Sequence, residues 1–294
     1  MANPLSSAGA VLAALLSLGT TALAGPYVAG NRAFPATPTT EDPFVADEFA
    51  LSAQRTREGS TPSSPTVRDT EIEAEIGKRL TENLGLILEG GYEIEDPVGA
   101  PNVYGFENFK ATLKYQFFKN EAHESLAAFG ITREFGGTGA ARVDADRIGS
   151  TMPTFYFGKG FGDLGDGLNY LKPLAVTGVL GYQIADRRST ARPDLILAGG
   201  SIQYSLRYLG LPEFIERMTP LVEFSYSTPA TRSEGTTTKG VIAPGIVYSG
   251  NQFDIGVEAL IPATRSAGTN VGFIANFHWR FTGALESVFF GDTP

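Results

Sequence analysis

The chain alternates apolar and polar residues over long segments, and no other feature constrains its fold as strongly. In FKATLKYQF, residues 109–117, aromatic and aliphatic residues alternate with lysine, threonine and glutamine. The same period of two runs through LGLILEGGYE at 84–93, SIQYSLRY at 201–208 and FDIGVEALI at 253–261. Because successive side chains of a β-strand point to opposite faces, each segment predicts a strand with one apolar face and one polar face.

About 12 segments of this kind, separated by clusters of Gly, Pro, Asn and Asp, predict antiparallel strands. Their lengths of roughly 10 to 14 residues suit strands that cross a membrane at a tilt, whereas strands of soluble proteins average about 5 or 6. We therefore predict an all-β fold, a transmembrane antiparallel up-and-down β-barrel of about 12 strands, with a soluble two-sheet sandwich as the alternative. The predicted strands are Phe44–Arg55, Arg68–Leu80, Leu84–Ile94, Tyr104–Phe118, His123–Phe135, Thr151–Phe161, Lys172–Ala185, Leu195–Tyr208, Leu221–Thr228, Gly240–Ser249, Gln252–Ile261 and Asn270–Phe281.

The predicted connections also suit an outer-membrane barrel, in which short periplasmic turns alternate with long extracellular loops. With a periplasmic N-terminus, the extracellular connections at 56–67, 95–103 and 136–150 are long and polar. The periplasmic turns are short, with two exceptions at 162–171 and 210–220. LPEFIERM in the second exception predicts one or two helical turns at the periplasmic rim.

The N-terminal residues predict an export signal rather than a part of the fold. AGAVLAALLSLGTTALA, residues 8–24, is an uncharged apolar run that ends in the small-residue pattern of a signal peptidase site. We predict cleavage after Ala24, although residues 1–7 carry no Lys or Arg, and a buried or amphipathic helix of a cytosolic protein is the alternative. The predicted organisation is a signal peptide at 1–24, an N-terminal periplasmic extension or plug at 25–43, an outer-membrane barrel at 44–281 and a C-terminal periplasmic extension at 282–294.

The composition argues against several other classes of protein. The net charge of -9 and the pI of about 4.9 argue against a nucleic-acid partner, because phosphate repels an acidic surface. Without cysteine the chain cannot form a disulfide. A mean hydropathy of -0.04 is too polar for a bundle of transmembrane helices, but it fits strands that alternate apolar and polar residues.

The last predicted strand carries the most specific signal. In VGFIANFHWRF, residues 271–281, one apolar file ends in alternating aromatic residues, which resembles the β-signal read by the barrel insertion machinery. Such signals usually end a chain, whereas here residues 282–294 follow.

The closing hairpin FDIGVEALIPATRSAGTNVGFIANFHWRF, with PLVEFSYSTP before it, resembles the outer-membrane transporters grouped as the MetA-pathway-of-phenol-degradation family. The resemblance is carried by the C-terminal part of the chain. It implies a barrel in the outer membrane of a Gram-negative bacterium that moves small, often aromatic or hydrophobic, molecules.

If the apolar files face lipid, the polar files face the lumen, and their charges become candidate pore residues. Opposed acidic and basic walls would set up a transverse field that orients dipolar solutes and biases the passage of ions. The alternative is that these charges pair across a narrow lumen and merely fill it. The candidate lumen-lining residues are Glu71, Glu73, Glu75, Glu89, Glu93, Lys110, Lys114, Arg207, Glu223, Asp254, Glu258, His278 and Arg280.

The sequence predicts no enzyme, no cofactor and no His/Cys metal site. Only His123 and His278 are available for catalysis, and His278 is interpreted as a residue of the lumen wall beside Arg280. Loop acids such as Asp144 and Asp146 leave a calcium site open as an alternative. GDLGDG, residues 162–167, is interpreted as a turn because no helix with a lysine follows it.

Two functions remain for such a barrel. The first is a channel or transporter that passes small solutes through a narrow polar lumen. The second is a non-conducting structural or partner-holding outer-membrane barrel. A barrel of about 12 strands makes a tight sheath, which favours the first. The expected partners are outer-membrane lipid, a small-molecule solute and, during biogenesis, the barrel insertion machinery.

Overall fold

A computed structural model describes residues 27–58, 66–143, 145–189, 192–231 and 237–280. Within these ranges the chain is almost entirely β-structure, and no helix is both long and apolar enough to cross a membrane. The strands are β1 (Val28–Ala29), β2 (Arg32–Ala33), β3 (Glu48–Glu58), β4 (Val67–Arg79), β5 (Leu84–Pro97), β6 (Val103–Phe106), β7 (Lys110–Asn120), β8 (Ser125–Glu134), β9 (Ser150–Gly160), β10 (Leu174–Ala185), β11 (Leu195–Tyr204), β12 (Met218–Pro229), β13 (Lys239–Ser249), β14 (Phe253–Pro262) and β15 (Gly272–Arg280).

Strands β3 to β15 form one antiparallel sheet that closes on itself. Neighbours along the chain pair with each other, and β15 returns to pair with β3, from Phe273 opposite Arg55 to Arg280 opposite Glu48. β6 and β7 share one position in the wall because both pair with β5, so the ring has 12 strand positions. Closure removes the open edges of the sheet except along β6, which among the described strands pairs only with β5. The predicted all-β, antiparallel up-and-down barrel of about 12 strands is confirmed.

The two ends of the ring differ in their connections. The turns that follow β4, β7 and β13 are short and lie at the end where β3 begins, which we call the short-turn end. The connections at 161–173 and 205–217 are longer and lie at the same end, as the sequence predicts. The second contains α1 (Glu213–Glu216), the predicted helical turn. We call the opposite end the long-loop end.

The polarity of the wall is inverted relative to a soluble protein. On β7, Leu113 and Tyr115 are 47% and 50% exposed, while Lys114 between them is 3% exposed. On β14, Val257 is exposed and the neighbouring Glu258 is buried. Apolar side chains therefore cover the outside and charged side chains line the inside, which is the arrangement expected for a barrel surrounded by hydrocarbon.

The predicted strand Tyr104–Phe118 is wrong as a continuous element. The wall runs as β6 and then β7, and residues 107–109 leave the ladder between them. The side chain of Asn108 donates to Glu134 Oε1 and to the carbonyl of Asp146, both at 2.8 Å. The loop after β8 folds back against the break and supplies hydrogen bonds that a neighbouring strand would otherwise give.

The predicted first strand, Phe44–Arg55, begins four residues too early, because β3 starts at Glu48. Phe44 packs against Phe34 and Leu126 in an apolar cluster inside the barrel. Its side chain therefore does not face the exterior, as the period of two would require, and the barrel wall does not begin at residue 44.

The exposed apolar exterior predicts the effect of a charge placed on it. Leu180 lies near the middle of β10 and is 56% exposed. We expect Leu180→Arg to lower the free energy of unfolding by about 2–4 kcal/mol, the cost of an arginine near the middle of a bilayer. Denaturant unfolding in phospholipid vesicles measures this loss.

The matched control is Leu168→Arg, at an exposed leucine in a connection at the short-turn end. This variant should change the free energy of unfolding little. Equal losses for both variants would contradict a lipid-facing wall.

Candidate functional site: an occupied lumen

Residues 27–47, which we call the inner segment, run inside the barrel near the short-turn end. β1 and β2 pair as a small antiparallel hairpin joined by Gly30 and Asn31. Gly30 has a φ of +61° and lies so close to the carbonyl of Glu121 that a Cβ atom would collide with it. The hairpin is therefore seated directly against a turn of the barrel.

Apolar contacts hold the inner segment against several sides of the ring. Phe34 packs with Leu126 of β8 and Ala175 of β10 in one buried cluster. Pro38 lies against Gly256 of β14, where a Cβ atom would meet the proline ring. Burial of one phenylalanine side chain contributes about 1.5–3 kcal/mol, so these contacts favour a docked segment.

Arg32 makes the densest set of polar contacts between the inner segment and the wall. Its side chain is 1% exposed. Nη1 donates to the carbonyl of Pro173 at 3.0 Å, and Nη2 donates to the carbonyls of Lys172 at 2.7 Å and Leu174 at 2.8 Å. Nε lies 3.6 Å from Glu124 Oε2. One buried guanidinium thus joins the hairpin to two connections at the short-turn end.

Glu124 completes this contact from the wall side. Apart from glycine, it alone among the described residues has a positive φ, of 44°. Its carboxylate accepts hydrogen bonds from Gly162 N at 2.8 Å and from the Tyr208 hydroxyl at 2.7 Å, and burial raises the pKa of Tyr208 above its ordinary value. A left-handed backbone at a residue other than glycine costs about 1–3 kcal/mol, and here the surrounding contacts fix it.

Three acidic wall residues hold the middle of the inner segment. Ala36 N donates to Asp254 Oδ2 at 2.9 Å. Thr39 N donates to Glu223 Oε2 at 2.7 Å, and Thr39 Oγ1 donates to Glu258 Oε2 at 2.6 Å. All three carboxylates are buried. These candidate pore residues therefore bind the chain's own N-terminal segment.

Two basic wall residues contact the inner segment as well. Lys114 Nζ lies 3.4 Å from Glu41 Oε2 and donates to the carbonyl of Asp42 at 3.2 Å. The guanidinium of Arg280 lies 4.1 Å from the centre of the Tyr27 ring, a cation–π contact. Charges of both signs thus hold the segment in place.

Asp47 anchors the end of the inner segment where it joins β3. Its carboxylate accepts hydrogen bonds from Arg79 N at 2.9 Å and Arg79 Nε at 2.7 Å, and lies 3.1 Å from Lys78 Nζ. Burial raises the pKa of Asp47, but the hydrogen bonds from Arg79 and Lys78 together lower this pKa by more than burial raises it. The pKa of Asp47 therefore lies below its usual range. An acid with a depressed pKa stabilises the fold while ionised, so this contribution is complete at neutral pH and is lost as the pH falls through that pKa.

Beyond the inner segment the lumen opens toward the long-loop end. A cavity of about 620 Å³ extends from Pro38 and Thr39 to the loop residues Ser266 and Asn270. A second cavity of about 670 Å³ has seven acidic residues and one basic residue, Lys110, in its lining. Such an imbalance of charge attracts cations. The acidic residues are Asp69, Glu71, Glu93, Glu95, Glu107, Glu134 and Asp146.

The candidate pore residues fall into two groups along the barrel axis. The group beside the inner segment comprises Glu73, Glu75, Glu89, Lys110, Lys114, Glu223, Asp254, Glu258, His278 and Arg280, whereas Glu71 and Glu93 line the cavities toward the long-loop end. Lys110 also lines the acidic cavity, and it pairs with Glu73 at 3.3 Å and with Glu89, so part of the charge is matched along the wall.

The strand prediction misplaced Arg207. β11 ends at Tyr204, and Arg207 lies exposed in a 3₁₀ helix, Leu206–Leu209, at the short-turn end. The ladder ends here because Pro173, which lies opposite Ser205, accepts a hydrogen bond from the Ser205 N–H but has no N–H to donate in return. Arg207 therefore lies at the mouth of the barrel and not on the lumen-facing side of a strand.

Sequence reasoning missed Arg32 and Glu124. Arg32 is the only charged residue between Gly25 and Thr40, and a lone base in such a segment is a signal that could have marked it. Glu124 carries no such signal, because its role depends on a backbone conformation fixed by distant parts of the chain.

Several sequence predictions fall outside the described residues. The signal peptide at 1–24 and the C-terminal extension at 282–294 belong to this group. Two loop acids were named as possible ligands of a calcium ion. Asp144 also lies outside the described residues, whereas Asp146 forms an ion pair with Arg192.

Removal of Arg32 should release the inner segment without unfolding the wall. Loss of one partner from a buried ion pair costs about 3–5 kcal/mol. We expect Arg32→Ala to speed hydrogen exchange of amides in residues 27–47 by about 100-fold or more in the detergent-solubilised full chain. Mass spectrometry of exchanged peptides measures the change. Arg265→Ala, at an exposed arginine of the long-loop end, is the control and should leave this exchange unchanged. Equal exchange in the two variants would show that Arg32 does not hold the segment.

The geometry of this barrel can be compared with known proteins. No protein-family model matches the chain, and no curated protein sequence matches it. Its structure is similar to that of an outer-membrane channel from Pseudomonas putida F1, with a TM-score of 0.55 and 11% identity over 89% of this chain and 100% of the channel. It is also similar to the NanC porin, with a TM-score of 0.50 and 9% identity over 79% of this chain and 100% of the porin. At these identities the likeness shows the fold, and that fold is the closed 12-strand antiparallel barrel of outer-membrane channels.

Proposed function

We propose that this chain is a channel for small solutes in the outer membrane of a Gram-negative bacterium, and that its inner segment keeps it closed. The exposed apolar exterior of the wall supports the membrane location, as does the export signal predicted at residues 1–24. In this location the short-turn end faces the periplasm and the long-loop end faces the exterior of the cell.

One observation carries the proposal: the polar lumen is open from the long-loop end and stops at the inner segment. The cavity of about 620 Å³ reaches Pro38 and Thr39 of that segment from the outer side. The segment is held by side-chain hydrogen bonds, ion pairs and apolar packing, and it adds no strand to the barrel sheet. It can therefore leave the lumen without opening the wall.

The charge of the outer lumen favours cations among permeating ions. Seven acidic residues and one lysine line the cavity on this side, and a narrow passage concentrates counter-ions of its acidic walls. Pairs such as Lys110 with Glu73 reduce this field but do not reverse its sign.

For the class of solute, we extend the proposal to small aromatic or hydrophobic molecules. The closing hairpin at 253–281 resembles the MetA-pathway-of-phenol-degradation transporters, and this resemblance supports the extension. The transported solute must also pass the inner segment, whose side chains in the lumen include Phe34 and Pro38.

A non-conducting barrel that holds a partner is the second candidate function. The buried contacts of Arg32 and Glu124 favour it, because they make the docked inner segment a stable part of the lumen. In both cases we propose no catalysis, with His278 a wall residue that lies 3.7 Å from Glu48.

Planar bilayer recordings distinguish the two functions. We expect wild-type protein to be mostly closed and Arg32→Ala to raise the open fraction by about 100-fold, since the variant weakens docking of the inner segment. Liposome swelling with small neutral and aromatic solutes then tests the solute class. If Arg32→Ala frees the inner segment in hydrogen exchange yet conducts no more than the wild type, the channel proposal is overturned and the partner-holding function is favoured.

The acidic cavity makes a separate prediction about selectivity. We expect Glu93→Gln combined with Glu107→Gln to lower the ratio of cation to anion permeability, because both carboxylates line the outer lumen. The reversal potential in a KCl gradient, measured in alkaline buffer and in the Arg32→Ala background, should move toward zero. Asp166→Asn combined with Glu82→Gln, at two exposed acids of the short-turn end, is the charge-matched control and should leave it unchanged. An equal shift for both would mean that general surface charge sets the selectivity.

A further inference from the structure

A histidine and two carboxylates converge where the inner segment meets the barrel seam. Asp42 comes from the inner segment, Glu48 begins β3 and His278 lies on β15, the strand that closes the ring against β3. One ligand atom of each lies within 4.8 Å of the ligand atoms of the other two. All three side chains line a cavity of about 250 Å³, which leaves room for an ion and water.

Two of these groups lack the partners that buried polar atoms normally have. Glu48 is 6% exposed, and its Oε2 atom accepts no hydrogen bond. Nδ1 of His278 is buried and also without a hydrogen bond. The two atoms face each other at 3.7 Å, too far for a hydrogen bond between them. A buried carboxylate and imidazole left in this state cost free energy that a shared ligand would recover.

The spacing fits a single metal ion. Zn²⁺ binds imidazole nitrogen at about 2.0–2.1 Å and carboxylate oxygen at about 2.0–2.2 Å. An ion at these distances from both atoms fits in the 3.7 Å gap with an open angle at the metal, and the Asp42 carboxylate supplies a third ligand. Histidine with carboxylates is a donor set that Zn²⁺ and related transition metals accept.

The basic residues nearby are already engaged. Lys114 pairs with Glu41, and Arg280 pairs with Asp254. Glu75 adds a further carboxylate to the same cavity. The local balance of charge therefore leaves room for a cation.

We propose that Asp42, Glu48 and His278 bind one divalent transition-metal ion of the Zn²⁺ type, which ties the inner segment to the seam of the barrel. Two ligands belong to the wall and one to the inner segment, so binding stabilises the docked arrangement. The site is independent of conductance and requires only the docked geometry.

Calorimetry with Zn²⁺ tests the site in the detergent-solubilised full chain after treatment with a chelator. We expect one ion per wild-type chain and affinity weaker by about tenfold or more in His278→Gln. The chain has two histidines, and His123→Gln is the matched control. His123 lies exposed in a turn, hydrogen-bonded to Asp163, so this variant should bind Zn²⁺ as the wild type does. Equal affinity of His278→Gln and wild type would overturn the proposal.

Hydrogen exchange supplies a second readout. Zn²⁺ should slow exchange of residues 27–47 in the wild type and in His123→Gln, but not in His278→Gln or Asp42→Asn. Heat-dependent gel mobility confirms that each variant is folded. Binding that leaves this exchange unchanged would place the ion elsewhere and also overturn the proposal. A barrel that binds Zn²⁺ in this way but never conducts would contradict the channel function alone.

Discussion

The inward-facing charges of the wall need partners, and the inner segment supplies many of them. Glu223, Asp254 and Glu258 are buried, and each accepts a hydrogen bond from residues 36–39 of the chain. Because an unpaired buried carboxylate is costly, the barrel and its contents stabilise each other. The apolar outside of the wall suits contact with hydrocarbon, whereas the inside depends on these polar partners.

The barrel itself could be predicted from the sequence because its physical cause is local. A period of two over long segments, as in residues 109–117, reports a surface with hydrocarbon on one side and polar groups on the other. Such a signal needs no knowledge of distant residues, and all 12 strand positions follow from it. The pattern misled at Phe44, whose apolar side chain packs into a small core within the lumen.

The candidate site could be predicted only in part. The period of two marks residues such as Glu258 as inward-facing, yet it cannot say what they contact. Their partners come from a segment with no period, more than 200 positions away in the case of Ala36 and Asp254. Glu124 and Asn108 act through irregular backbone whose conformation depends on several loops at once. Contacts between residues so far apart in the chain produce no regular pattern of residue types, so a single sequence does not predict them.

The covalent connection between the inner segment and β3 determines how that segment would leave the lumen and return to it under the proposed function. Asp47 is followed directly by Glu48 of the wall, so a released segment stays tethered at the mouth of its own barrel. Its return is an intramolecular step with a high effective concentration that dilution does not lower. Under the proposed function, a stopper supplied by another protein would obey mass action, whereas this tethered segment would open and close to the same extent however sparsely the barrels are distributed in the membrane.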